Sequence, residues 1–317
     1  MCVVTMLTAL VRKSNCSLSI EQRAKGAYLG MAVGDALGAT VEFMTPREIH
    51  AKHGIHNKMV GGGWLNVKPG QVTDDTTMAL ALGRAILAEG KVSADSAAIA
   101  FDEWMRSKPI DIGNTVRRGI VKYRKTGSSS VPYSEYDAGN GACMRVLPVA
   151  LASYYLNRKD IAEACCAQSH VTHNNELSDA ATECVVHMIH DAFGGATMLD
   201  LLKNHAQPLV KSQPLFKFRG LRVSNPSGYI VHTIQAVFQA LFDTETFEDC
   251  LVDVVNRGGD ADTTGAIAGM IAGAVYGVGE IPRHWLRGLD RKVRKECEFQ
   301  AVNIIHQSIT NNKVTTI

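Results

Sequence analysis

An excess of either charge is missing from this chain. Lys+Arg 33 against Asp+Glu 31 gives a formal net charge of +2, which leaves no electrostatic case for a nucleic-acid partner. The 8 cysteines include no C-x-x-C pair, and Cys165 and Cys166 are adjacent, a poor geometry for a structural staple. That pattern reads as reduced thiols in a cytoplasmic chain. No apolar run reaches the ~20 residues of a membrane span. The stretch Gly265 to Gly279 comes nearest, but Asp260, Asp262 and Glu280 crowd it, so it reads as a buried core helix. A secretory leader is also lacking, because Arg12 and Lys13 follow the apolar residues 1–11 instead of preceding them. Residues 1–18 read as a loose extension. No Pro/Ser linker divides the rest; Ser128-Ser129-Ser130 is only a loop. Residues 19–317 are therefore expected to form one domain, within the reach of a single large core.

Strand signals are missing too. No segment sustains period-two alternation of strand formers, whereas helix signals recur, so the fold class expected is all-α. Ser19-Ile20-Glu21-Gln22 is a capping box opening a helix to about Leu37. A second helix is expected over 74–89, with Gly90 as its stop. Ser93 caps a third, ending near Ser107 before Pro109. Further helices are expected over 115–125, 142–156, 161–168, 177–193, 229–242, 247–255, 263–278 and 292–308. The basic run Arg287 to Lys295 reads as a solvated helix face.

Two of these helices repeat glycine every fourth residue: Gly26, Gly30, Gly34 and Gly38 in one, Gly265, Gly269, Gly273 and Gly277 in the other. A glycine inside a helix costs about 1 kcal/mol relative to alanine. Close backbone approach is the compensation expected. Packing these two helices together would bring the segment Asp35 to Glu42 beside Asp260 and Asp262.

Two acidic clusters stand where apolar helices begin: Thr73-Asp74-Asp75-Thr76-Thr77 and Gly258-Gly259-Asp260-Ala261-Asp262-Thr263-Thr264. One acid per helix start satisfies the exposed amides and the macrodipole, so capping accounts for half of each cluster at most. Were the clusters to meet, each pair of like charges ~4 Å apart would cost roughly 4 kcal/mol at an effective dielectric of about 20. Such a group needs protons or cations. Carboxylates with threonine hydroxyls suit hard ions such as magnesium or manganese rather than zinc.

The loops add binding chemistry. Gly61-Gly62-Gly63-Trp64 joins a permissive backbone to an aromatic surface, and Gly139-Asn140-Gly141-Ala142 could cradle a phosphate. Asp111-Ile112-Gly113-Asn114 places another carboxylate at a helix start. His170 and His173, at i and i+3, could face one cavity.

The segments Gly34 to Phe43, Gly70 to Thr76 and Asn256 to Gly265, with Gly61 to Leu65 and the segments around Asp111 and Asn140, resemble the ADP-ribosylglycohydrolases, and their nitrogen-regulatory branch most of all. The resemblance runs from about Arg23 to Leu289. It implies an all-α, single-domain orthogonal helix bundle with two divalent metal ions, Mn2+ or Mg2+. Carried over by position, it implies Thr73, Asp74, Asp75, Asp260, Asp262 and Thr263 as metal ligands. Glu42 resembles the family's mobile acid, acting as gate or base. Asp111 resembles the carboxylate that meets a substrate guanidinium. Gly113, Gly139, Asn140 and Gly141 fall at the substrate-binding segments, with His173 on the ribose side and Tyr229 at a site tyrosine.

The activity implied is hydrolysis of ADP-ribose from a modified arginine of a protein, with dinitrogenase reductase as the target. A PII-type signalling protein and an ammonium channel are implied as partners, the latter bringing peripheral membrane recruitment; a monomer is expected. Two other readings stay open: a hydrolase of ADP-ribosyl-serine or O-acyl-ADP-ribose, and a non-catalytic ADP-ribose-binding or structural protein on the same fold. The full complement of acids argues against the last.

Overall fold

The computed structural model describes residues 18–315; the expected extension 1–18 lies outside the described residues except for Leu18. Helices, numbered here in chain order, make the fold, and the described residues contain no strand, only the isolated bridges Gly62–Val67 and Gly139–Tyr229.

The helices α1 (Ile20–Gly38) and α13 (Ala261–Tyr276) form the centre. Almost every residue of both is buried, which is why neither shows a polar stripe in its sequence. A Cβ added at Gly26 would lie 2.2 Å from Gly273 O, one at Gly30 2.2 Å from Gly269 O, and one at Gly34 2.0 Å from Gly265 O. The glycine spacing therefore does mark two antiparallel backbones in direct contact. Gly277 shares in this contact, 2.8 Å from a Cβ added at Gly26, but from beyond the end of α13, which it closes with φ +78. Arg23, buried in α1, donates to the carbonyls of Ala274 (3.1 Å) and Val275 (2.8 Å), satisfying the last turn of the partner helix.

Around this pair stand α2 (Pro46–His53), α3 (Asp74–Glu89), α4 (Ala94–Arg106), α5 (Asn114–Thr126), α6 (Leu147–Ala152), α7 (Arg158–Ser169) and α8 (Glu176–Phe193). They are followed by α9 (Met198–Leu201), a π turn at Leu202–Ala206, α10 (Gln207–Ser212), α11 (Ile230–Asp243) and α12 (Phe247–Val255). After α13 come α14 (Arg283–Gly288) and α15 (Arg291–Thr315). The last helix lies on α1, α3 and α6, and Gln300 fixes it there: it accepts from Tyr28 Oη (2.7 Å) and donates to Leu80 O (2.9 Å).

The capping box at Ser19 and Gln22, the Gly90 stop and the Ser93 cap all form. The helix expected over 142–156 shrinks to α6. Pro148 sits in its first turn, where its missing N–H is harmless, whereas further in its ring would clash with the preceding turn. Among the described residues no helix is long and apolar enough to cross a membrane; the apolar run after Asp262 is α13, buried as expected. Cys143, Cys165, Cys166, Cys184, Cys250 and Cys297 are all free thiols.

Candidate active site

The antiparallel contact of α1 and α13 sets the C-terminal end of α1 against the N-terminal end of α13, and α3 starts beside both. Its first turn is capped from outside. Thr73 makes no side-chain cap of its own; instead Asp35 of α1 accepts from Thr73 N (2.9 Å), Thr73 Oγ1 (3.0 Å), Thr76 N (3.0 Å) and Thr76 Oγ1 (2.6 Å). Asp35 thus supplies the capping chemistry that α3 needs. Asp74 and Asp75 are released from it.

The two acidic clusters meet. Thr73 Oγ1 lies 3.2 Å from Asp75 Oδ2 and 3.3 Å from Asp262 Oδ2, and Thr263 Oγ1 lies 3.4 Å from Asp75 Oδ2. One hydroxyl proton on Thr73 faces carboxylates of Asp35, Asp75 and Asp262, so donors are too few for the acceptors present. Ligand oxygens of Glu42, Asp260 and Asp262 lie within 4.8 Å of one another. Glu42 is brought in by the loop between α1 and α2: Phe43 N donates to Gly259 O (2.7 Å), and Gly259 N donates to Met44 O (3.0 Å). Gly258 and Gly259 have φ +68 and +63, a region that side chains adopt with strain, and a Cβ on Gly258 would lie 2.0 Å from Met44 O. Trp64 Nε1 donates to Glu42 Oε2 (2.7 Å).

Burial dominates the electrostatics. It raises Asp35 to about 6, against the pull of its threonine hydrogen bonds. Burial raises Asp74 to about 7, reinforced by Asp111, Asp35 and Asp260. It raises Glu42 to about 8; the Trp64 hydrogen bond opposes this, and Asp260, Asp111 and Asp74 add to it. Asp75 and Asp262 are held well above the carboxylate range by burial first, then by the charges of Asp35, Asp74 and Asp260 on Asp75 and of Asp75, Glu42 and Asp260 on Asp262. Asp260 is also raised by burial, though Asn140 donates to it at 2.6 Å.

A cavity of about 260 Å³ opens on this cluster. Its wall includes Glu42, Asp74, Asp260, Asp262 and Thr263 on one part, and Asp111, Gly113 and the start of α5 on another. Gly139, Asn140, Gly141, His173 and Gly228 line a further part. The glycine loop is held by Asn140 N donating to Gly228 O (3.0 Å) and Ile230 N to Ala138 O (2.9 Å). Thr73 and Asp75 lie buried in the cluster and do not line the cavity wall.

Two expectations change. Tyr229 does not line the cavity; its backbone bridges Gly139 while Gly228 takes the wall position. His170 and His173 part company: His173 faces the cavity, whereas His170 Nε2 pairs with Asp179 Oδ2 at 2.9 Å. Trp64 serves Glu42 and an adjoining surface groove rather than the cavity itself. Asp35 is the site residue that sequence reasoning left without a role. Its one trace in the sequence is a charge among the otherwise uncharged residues 26–38, which does not say which helix it serves.

The cluster fits divalent cations by its own chemistry. Every donor is an oxygen, the choice of hard ions, and Asp75 Oδ1 is buried without a hydrogen-bond partner, a state that a cation or a proton relieves.

Residues 17–313 match the family model of the ADP-ribosylglycohydrolases. The chain is 51% identical over 282 residues to the ADP-ribosyl-[dinitrogen reductase] glycohydrolase of Rhodospirillum rubrum, covering 89% of this chain and 95% of the relative. It is 32% identical to the ADP-ribosylarginine hydrolase Tri1 of Serratia proteamaculans, covering 86% of this chain and 76% of the relative. A solved ADP-ribosylglycohydrolase-related protein complex superposes with a TM-score of 0.81 at 33% identity, over 92% of this chain and 99% of that one. With that match over nearly its whole length, and with both acidic motifs converging on one cavity, the chain belongs to the ADP-ribosylglycohydrolase family.

Proposed function

We propose that this enzyme hydrolyses the bond between ADP-ribose and an arginine side chain, with ADP-ribosylated dinitrogenase reductase as its protein substrate. The observation that carries the reading is one cavity that joins an oxygen-donor cluster, a separate carboxylate at Asp111 and a glycine loop at Gly139–Gly141. Relatives named for dinitrogen reductase and for ADP-ribosylarginine support an arginine linkage.

Thr73, Asp74, Asp75, Asp260, Asp262 and Thr263 are the residues we assign to two divalent ions, manganese or magnesium. Glu42 converges with Asp260 and Asp262 closely enough to share in that duty. Bound ions would supply Lewis-acid charge beside the ribose. Asp111 holds the guanidinium of the modified arginine by charge-assisted hydrogen bonds and manages its proton as the bond breaks. The Gly139–Gly141 loop is the segment we assign to the diphosphate; its glycines also make room for His173, whose ring a Cβ would approach to 3.0 Å at Gly139 and 2.7 Å at Gly141. Trp64 keeps Glu42 oriented at the cavity edge. Regulation through a PII-type protein and an ammonium channel is part of the proposal on the family resemblance alone.

The test is release of ADP-ribose from arginine-modified dinitrogenase reductase, beside a serine-linked conjugate, with and without manganese or magnesium. Metal-dependent release from the arginine conjugate alone is expected. Release only from the serine conjugate would replace the substrate assignment, and no release from either would remove the enzymatic one.

A further inference from the structure

Behind the cavity wall runs a buried polar chain that no step above uses. Arg145 is 0% exposed, and its guanidinium lies 4.2 Å over the Phe101 ring. It donates through Nε to Gln168 Oε1 (2.9 Å) and through Nη2 to Gln168 O (2.9 Å) and Thr172 Oγ1 (2.8 Å). Thr172 Oγ1 in turn lies 2.8 Å from His173 Nδ1.

What each group can do, together with the need to give every buried proton an acceptor, sets the direction of each bond. Arginine only donates. Gln168 Nε2 lies 3.0 Å from Ala142 O, a carbonyl that only accepts, so Gln168 Oε1 is the end that faces Arg145. Thr172 Oγ1 receives an arginine proton, leaving its single hydroxyl proton for His173 Nδ1, the other hydrogen-bond partner of that oxygen. A ring nitrogen that accepts carries no proton, so the neutral imidazole carries it on Nε2.

That end of the ring reaches the glycine loop. A Cβ at Gly139 would lie 3.0 Å from Nε2, and one at Gly141 2.7 Å from Cε1. His173 lines the cavity. Nε2 makes no hydrogen bond among the described residues, whereas Nδ1 is taken by Thr172.

We propose that Arg145 and Thr172 are positioning residues that lock His173 in its neutral Nε2–H tautomer and aim that donor at an oxygen of bound ADP-ribose. This rests on the ADP-ribose reading of the cavity. The surroundings also keep the ring uncharged: burial, then the guanidinium charges of Arg145 and Arg118, push His173 down to about 3. A doubly protonated ring would leave the Thr172 hydroxyl proton with no acceptor.

Long-range proton–nitrogen correlation spectra of the full chain, labelled with 15N-histidine, read the tautomer directly, and His173→Gln identifies its signals. Wild-type protein at about pH 7 should show His173 with bare Nδ1 and protonated Nε2. Thr172→Val keeps the shape and removes the hydroxyl; it should mix or reverse the tautomer and weaken ADP-ribose binding about tenfold in calorimetry, the worth of one hydrogen bond. Thr172→Ser should restore both. A wild-type ring protonated on Nδ1, in an enzyme that still releases ADP-ribose, overturns the relay alone. So does Thr172→Val with tautomer and affinity unchanged; should that variant not fold, the wild-type spectrum decides. An Nε2–H ring in a protein that binds no ADP-ribose overturns the substrate reading and the donor's target with it.

Discussion

Asp35 accepts from four donors on Thr73 and Thr76, which spares the neighbouring acids that duty. Removing it strips the first turn of α3 of its cap and leaves buried donors without a partner. Asp35→Ala should therefore lose about 1–3 kcal/mol of stability, read by denaturant unfolding, and should bind manganese more weakly in calorimetry. Unchanged values of both would show that α3 is positioned without it. Asp111 differs in kind, because no hydrogen bond among the described residues engages its carboxylate and it lines the cavity. Asp111→Asn should hold ADP-ribose with affinity within about threefold of wild type while kcat falls by about 10²–10⁴, the range for a lost acid–base group. Near-normal turnover would take Asp111 out of the chemistry. Asp74, Asp75, Asp260 and Asp262 could be read from the chain because repelling acids cluster there without a local purpose. Asp35 could not, since its partners lie 38 and 41 residues away and only α1 meeting α3 brings them within reach.

Helices α1 and α13 behave as one unit, joined by backbones rather than by interlocking large side chains. A Cβ at Gly30 would sit 2.2 Å from Gly269 O and 3.1 Å from the Phe247 ring, so the two axes must separate to admit a methyl group. Gly30→Ala should destabilise by about 3 kcal/mol or more, seen in thermal or denaturant unfolding. Gly279→Ala, where nothing lies within 4 Å, should stay within about 0.5 kcal/mol of wild type. Equal effects would mean that close approach is not what the glycines serve. The glycine periodicity pointed to this contact, and the bounds of α3 and α12 match those expected, with Gly90 as the stop of α3. Short elements were not. The helix α2 has 8 residues with Ile49 as its buried anchor, too little apolar pattern to stand out, although Thr45, Pro46 and Glu48 form a complete capping signal. The segment 198–216 breaks into α9, a π turn, α10 and a 3-10 turn, so its period keeps changing.

On the scale of the whole molecule, a protein stripped of cations by a chelator would carry buried acids whose folded pKa values exceed their unfolded ones. Such groups favour the fold below the ordinary carboxylate range and lose that contribution as pH rises through the folded values. Here those lie at about 6 for Asp35, about 7 for Asp74 and about 8 for Glu42. With a chelator present, the melting temperature should therefore fall between about pH 5 and pH 8, and excess manganese should recover most of the loss at the upper end. A chelated protein with the same melting temperature across that window would argue that these acids are neutralised in some other way. The amino-acid order alone determined that the chain is helical, that two helices carry a glycine at every fourth residue and that two acid motifs exceed what capping needs, because caps, periods and local repulsion are short-range properties. Tertiary structure alone decided that Asp35 caps a helix it does not belong to, that His173 enters the cavity while His170 turns to Asp179, and that Tyr229 lends its backbone in place of its ring. Those outcomes depend on which surfaces meet across tens to hundreds of residues, and hydrogen-bond direction at such meetings is set in space, not along the chain.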